Sequence, residues 1–165
     1  MIDIDDAKRR ACDEVDRLAD RLIDASHRIH AHPELNFEEV YAHDLLTGIL
    51  DDLGHAPERH AWGVGTAFEA RAGGAGPDIA VLCEYDALPG VGHACGHNVI
   101  ATAGLGAGLA AAALADELGG RVRIMGTPAE EGGGGKIVMA RNGAFAGLDA
   151  AMMVHPADAD LIRMD

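Results

Sequence analysis

Aromatic side chains are scarce, 4% of 165 residues with a single Trp, which excludes a core built on bulky rings and leaves small aliphatic groups to fill the interior. Cysteine is scarce too, and Cys12, Cys83 and Cys95 are an odd number without framework spacing. They exclude a disulfide scaffold and read as reduced thiols of a cytoplasmic protein. Basic residues are in deficit, 13 Lys and Arg against 27 Asp and Glu, for a formal net charge of -14. Such a surface repels a phosphate backbone or an anionic bilayer over a Debye length of about 8 Å, so nucleic acid and membrane are excluded as partners. The first twenty residues hold Asp3, Asp5, Asp6, Asp13, Glu14 and Asp16 in place of the apolar run an export signal needs. The apolar stretch from Val99 to Leu118 approaches bilayer length, but it is mostly Ala and Gly beside a polar loop. It reads as a buried helix of a soluble protein.

What remains is a chain that is 48% hydrophobic and contains 22 Gly, long enough to bury roughly two-thirds of its unfolded surface in one domain. Val15, Leu18, Leu22 and Ile29 recur at helical spacing and predict an amphipathic helix that stops at His32-Pro33. A second helix is expected from Glu38 to Leu53, with Leu45, Leu46, Ile49 and Leu50 inward and Gly54 as its left-handed exit. Beyond Gly63 the pattern turns to short β-type runs: Thr66 to Ala70, Ile79 to Cys83, Val122 to Met125 and Ala150 to Val154. Asn98 is a candidate cap for the Ala/Gly helix, and another helix is expected near Ile137 to Asn142. Strands alternating with helices predict an α/β domain with a largely parallel sheet.

Three loops follow the three strands expected to be interior: Glu84 to His97, Thr127 to Gly135, and His155-Pro156. The ligand crevice of an open α/β sheet lies at the carboxyl ends of its strands, so these loops should meet at one rim. The first places Cys95 and His97 two residues apart on a glycine-hinged turn, and thiolate and imidazole are ligands that a borderline-soft ion prefers. The second offers Glu130-Glu131. On an extended segment these side chains point to opposite sides, one toward metal and one toward substrate water. The third contributes His155. Singly, a Cys is most often a small buried hydrophobe and a Glu pair a solvated surface. Together, one Cys, several His and two Glu describe an open hydrolytic site, whereas a structural zinc knuckle needs four closed ligands.

Three look-alikes fail on spacing. Glu130 to Lys136 ends in Gly-Lys but lacks the first Gly and the final Ser or Thr of a phosphate loop. Gly104-Leu-Gly106-Ala-Gly108 resembles a dinucleotide fingerprint, yet it sits inside a helical run, where close packing explains it. The H-x-E and P-C-x-x-C pair of a zinc deaminase does not occur. A metal-independent thiol hydrolase with Cys95 as nucleophile and His97 as base stays open, although it leaves the Glu pair unexplained.

The loop Glu84-Tyr-Asp-Ala-Leu-Pro-Gly-Val-Gly-His-Ala-Cys-Gly-His-Asn98 resembles the aminoacylase/dipeptidase two-metal amidohydrolases, peptidase family M20, and most of all their p-aminobenzoyl-glutamate hydrolase and β-alanyl-lysine dipeptidase branches. His32-Pro33-Glu34-Leu35, Pro128-Ala-Glu-Glu131-Gly132 and His155-Pro156 follow in the order that family shows. The resemblance implies a three-layer α/β/α zinc-peptidase-like domain with a largely parallel mixed sheet. It also implies that Cys95, His97, Glu131 and His155 bind two divalent ions, Zn or Mn with Co as a further candidate. Glu130 would be the general base that takes a proton from a metal-bridging water, and Asp86 would orient the ligands. His93 is expected to brace the loop, and His32 and Glu34 to tie the first helix to the domain; the role of Glu84 is open. The implied reaction is hydrolysis of the amide bond of an N-acyl amino acid, a dipeptide or an aminobenzoyl-glutamate-like compound. The resemblance implies a full-length homodimer with chains about twice this length, in which residues 1–165 would correspond to the N-terminal part of the catalytic domain. The lid and dimerisation domain and a last His ligand would lie beyond them. A slow hydrolase and a non-catalytic fragment that keeps the fold and partial metal binding, or acts as an interaction module, are both consistent with that division.

Overall fold

A computed structural model describes residues 3–157. Asp3 accepts the N–H groups of Asp5 (2.8 Å) and Asp6 (3.4 Å) and so satisfies donors that the first turn of a helix leaves without partners. From it α1 runs Ile4–Ala31 and stops ahead of Pro33, as expected. The second helix, α2, spans Val40–Asp52 and buries Leu46, Ile49 and Leu50. It leaves through Gly54 at φ 83°.

The strands are β1 (Glu58–Arg59), β2 (Phe68–Ala72), β3 (Asp78–Cys83), β4 (Arg121–Gly126) and β5 (Ala150–Met152). They form one sheet in the order β1-β2-β4-β3-β5. β3 runs parallel to both β4 and β5, while β2 is antiparallel to β4 and to β1. The sheet is therefore mixed, with a parallel portion that carries all three candidate loops at its carboxyl end. β5 differs from expectation: it ends at Met152 and forms an edge of the sheet, with all three residues exposed.

Period-two alternation sorts the strand residues between two cores. Phe68, Cys83, Val122 and Ile124 pack under α1, α2 and α3 (His97–Ala112). Ala80, Leu82 and Met125 pack on the other face, against Met139 of α5 (Gly135–Arg141) and the turn around Trp62. A one-turn α4 (Ala115–Leu118) links α3 to β4. Helices on both faces of the sheet make the three layers. No helix among the described residues is long and apolar enough to cross a membrane.

The glycine triplet of α3 is a packing device. A Cβ on Gly104 would stand 2.5 Å from the Leu82 carbonyl oxygen, and one on Gly108 2.6 Å from Ile124 Cγ1. α3 thus lies directly on β3 and β4, closer than any side chain allows. Small alanines of the same helix accompany the 37% exposure of Val15, which was expected to be buried on the α1 stripe: Ala107 and Ala111 line a shallow groove with it and are short. Asn98 does not cap α3. Gly96 does so from a left-handed conformation (φ 87°), and Asn98, inside the helix, donates to Ser26 Oγ (2.9 Å).

Gly104→Ala should destabilise the fold by about 1–3 kcal/mol, because the new methyl meets backbone that cannot move aside. Gly106→Ala meets only the tip of Leu22 at 2.8 Å and should cost less. Thermal melting of the two variants checks the order, at roughly 2–4 °C per kcal/mol for a domain of this size. A Gly104→Ala chain that melts with the native one would rule out this seating of α3.

Candidate metal centre

The parallel strands deliver their loops to one rim, and short bonds hold the rim together. Thr127 N–H donates to the Cys83 carbonyl (2.8 Å), joining the ends of β3 and β4. Past Cys83 the chain buries Glu84, Tyr85 and Asp86 completely. Tyr85 packs beside Phe68 and donates its hydroxyl to the Thr66 carbonyl (2.5 Å). A tyrosine anchored in this way fixes the alternation, so its two acidic neighbours face the rim.

Asp86 sits between two loops. One carboxylate oxygen lies 3.1 Å from His97 Nδ1, and the other accepts Glu131 N–H at 2.9 Å. With its amide oriented to satisfy both neighbours, Asn36 donates to the same second oxygen (3.1 Å). Burial raises the Asp86 pKa, but the hydrogen bonds from His97 and from Glu131 N–H outweigh it and leave the carboxyl below its ordinary value. His97 Nδ1 also faces the Asp86 carbonyl at 2.9 Å. Two acceptors on Nδ1 place the neutral ring's hydrogen there and turn the Nε2 lone pair into the site. That Nε2 is buried with no hydrogen-bond partner.

Around it stand the other candidates. Glu130 and Glu131 each bring a carboxylate oxygen to 3.8 Å from His97 Nε2. The His155 ring meets His97 edge to face, with centroids 5.8 Å apart. Cys95 Sγ, a His97 nitrogen and a Glu131 oxygen lie within 4.8 Å of one another, and so do donors of Glu84, His97 and His155. Two atoms bound to one ion at about 2.0–2.3 Å are held roughly 3.3–3.8 Å apart by a tetrahedral angle, so these separations suit cation ligands. A buried lone pair without a donor, beside a thiol and carboxylates, fits a divalent ion. Because one ring nitrogen binds one ion, the two groups compete for His97.

The thiol is not poised as a nucleophile. Burial pushes the Cys95 thiol up to about 11, and the adjacent Glu131 carboxylate adds to the rise. This weighs against the thiol-hydrolase alternative, since a free nucleophile needs a lowered pKa. A cation on the sulfur reverses the balance.

The Glu pair is arranged differently from expectation. Ala129 adopts a left-handed conformation (φ 59°) and residues 130–133 form a turn, so both carboxylates face His97 instead of diverging. Glu39 holds that turn: its buried carboxylate accepts Ala129 N–H (2.9 Å) and the Thr66 hydroxyl (2.8 Å). Glu34 acts as expected, accepting the N–H groups of Tyr41 (2.8 Å) and Ala42 (3.0 Å) and, through its carbonyl, that of Ala87 (2.8 Å). His32 stacks on Tyr41 at 4.2 Å. His93 is buried with no hydrogen bond to either ring nitrogen, so it fills space in the loop and is not braced by polar contacts. Asn36, Glu39 and Lys136 were not foreseen as site residues. The signal for Glu39 was present in its place, an acid at the start of a helix.

A protein-family profile described as peptidase family M20/M25/M40 matches residues 80–162. The Xaa-Arg dipeptidase of Mus musculus is 42% identical over 91% of this chain and 38% of its own length. A p-aminobenzoyl-glutamate hydrolase polypeptide of Escherichia coli is 38% identical over 87% of this chain and 33% of its own. Among solved structures, a Bacillus subtilis protein described as a dinuclear metal-binding peptidase of the M20 family superposes with TM-score 0.75 at 28% identity, over 82% of this chain and 42% of that one. The chain thus spans about two-fifths of the length of these relatives.

In the metal-stripped chain with Cys12 replaced by Ser, alkylation of Cys95 should be slow at pH 8 and should accelerate up to about pH 11. Excess Zn should protect the sulfur throughout. A rate that levels off below pH 9 would show a thiol in a different environment.

Proposed function

We propose that this chain, which belongs to peptidase family M20/M25/M40, forms the metal-holding part of a hydrolase that cleaves the amide bond of dipeptides, N-acyl amino acids or aminobenzoyl-glutamate-like compounds. The observation that carries the reading is the buried, partnerless Nε2 of His97, turned toward Cys95 and Glu131 by the grip of Asp86 on the other ring nitrogen. The dipeptidase and aminobenzoyl-glutamate hydrolase names of its relatives support the substrate class.

In this reading Cys95, His97, Glu131 and His155 hold divalent ions. Sulfur, nitrogen and oxygen donors together suit Zn, Mn or Co. When bound, such an ion supplies Lewis acidity, polarising the amide carbonyl and making water nucleophilic near neutral pH. Glu130 is the proton carrier. Its side chain is 42% exposed, on the open side of the cluster where substrate and water arrive. One carboxylate oxygen takes a proton from the attacking water and returns it to the leaving amine nitrogen. Asp86 does no proton transfer. It fixes the His97 tautomer and, through Glu131 N–H, the distance between the two ligand loops.

Residues 1–165 are read as the N-terminal part of the catalytic domain. In longer relatives the remaining length would supply a covering domain, a dimer contact and a further His ligand; by itself this stretch should bind one ion more tightly than two and turn substrate over slowly. Three cysteines without disulfide-framework spacing support a cytoplasmic location in this reading.

Elemental analysis of the purified chain should find stoichiometric Zn or Mn, and Cys95→Ala should lose most of it. Glu130→Gln should keep the metal while lowering hydrolysis of a dipeptide panel by about 10²–10⁴-fold. No metal in the presence of excess Zn and Mn would overturn the reading.

A further inference from the structure

One carboxylate at the rim has no part in the ligand set above. The Glu84 side chain is 1% exposed, and one of its oxygens is paired with the ammonium of Lys136, from the first turn of α5. The other, Oε2, is buried without a hydrogen-bond partner. A buried carboxylate oxygen left so has given up its water without a partner in return. It points at the other partnerless atom of the site, His97 Nε2, at 3.4 Å.

Resting on the metal-centre reading, we propose that Glu84 is a further ligand of the centre, presenting Oε2 to an ion shared with His155, and that Lys136 is its positioning residue. Two lone pairs facing each other across 3.4 Å need something positive between them. A proton on Nε2 would join two acceptors. A third donor, a His155 nitrogen, lies within 4.8 Å of a Glu84 carboxylate oxygen and a His97 ring nitrogen, and three donors around one point are what an ion requires and a proton does not. The distance agrees as well: 3.4 Å is the edge expected between an oxygen and a nitrogen each about 2.0–2.2 Å from the same cation.

Lys136 gives the arrangement its direction. A carboxylate free to rotate could present either oxygen or chelate with both. An ammonium on Oε1 leaves only Oε2 to face the cluster and offsets one negative charge among Glu84, Asp86, Glu130 and Glu131. The backbone fixes where that ammonium starts: a Cβ on Gly135 would lie 1.9 Å from the Pro128 carbonyl oxygen, so α5 begins tight against the loop that carries the Glu pair. With Glu84 counted, five donors are available to two ions. His97 can then serve one ion while the other keeps donors of its own.

Two measurements test this. In crystals of the native chain loaded with Zn, the anomalous map should place an ion about 2.0–2.2 Å from Glu84 Oε2; an ion that leaves this oxygen beyond about 3 Å overturns the proposal, and this readout needs no variant to fold. By calorimetric titration with Zn, Glu84→Gln should weaken one of the binding steps beyond the roughly 100-fold that loss of an outer partner causes. Lys136→Met should weaken the same step by about 10 to 100-fold, and Lys136→Arg should recover most of that loss. Native-like titration of Glu84→Gln, while Cys95→Ala loses its metal, overturns this inference and leaves the functional reading standing. A native chain that takes up no Zn overturns both.

Discussion

Asp86 uses both of its oxygens on different loops, His97 Nδ1 on one and Glu131 N–H on the other, and the candidate site exists because of that division. Without it the His97 ring and the Glu131 backbone would lose the one carboxylate that holds both. The carboxylate has to be ionised to accept on both sides, and it is kept so in a fully buried place by the same hydrogen bonds it accepts. Tyr85 sets its direction, because a ring locked between Phe68 and the Thr66 carbonyl leaves its neighbours no other side to face. A local alternation one residue long, anchored by one buried phenol, thus becomes a link between the ends of β3 and β4.

Much of this was legible in the residues. The helical stripes with their Pro and Gly stops marked α1 and α2 to within a few residues. The β-type runs marked β2 to β5 but not the two-residue β1, and their order along the chain implied the common rim. Donor atoms of Cys95 and Glu131 lie within 4.8 Å of one another and of a His97 nitrogen, and a His155 nitrogen lies within that distance of a His97 nitrogen. What was not legible depends on contacts between distant segments. The edge position of β5 is set by pairing order, which no local pattern encodes. The cap of α3 went to Gly96 because a left-handed residue was needed there, and Asn98 was drawn off to Ser26. Ala129 carries no sequence sign of a left-handed backbone. It adopts one where Glu39, ninety positions earlier, accepts its N–H, and that contact turns both Glu130 and Glu131 toward His97.

The charge balance has the same layered character. A net charge of -14 repels polyanions and says nothing about a site, yet at the rim it resolves into four carboxylates with assigned neighbours. Asp86 is matched by donors, Glu84 is half matched by Lys136, and Glu130 and Glu131 face a ring nitrogen and open solvent. Negative charge that stays unmatched after all local partners are counted is what distinguishes a cation site from an acidic surface. Here Glu84 Oε2 and the His97 Nε2 it faces are buried, where water cannot supply the deficit.

The glycines of α3 connect the core to this chemistry. His97 is the first residue of that helix, so the height of the helix above the sheet sets the reach of its imidazole. Gly104 and Gly108 let the helix settle onto Leu82 and Ile124, and β3 continues from Leu82 directly into Glu84 and Asp86. The contact that seats the helix and the carboxylates that meet its first residue are therefore within four positions of each other on one stretch of chain. A helix raised by even a methyl group would lift Nδ1 away from Asp86 and break the hydrogen bond that orients Nε2. Close packing between α3 and β3 is in this sense part of the site, and the low aromatic content that first suggested a core of small residues is what makes the approach close enough.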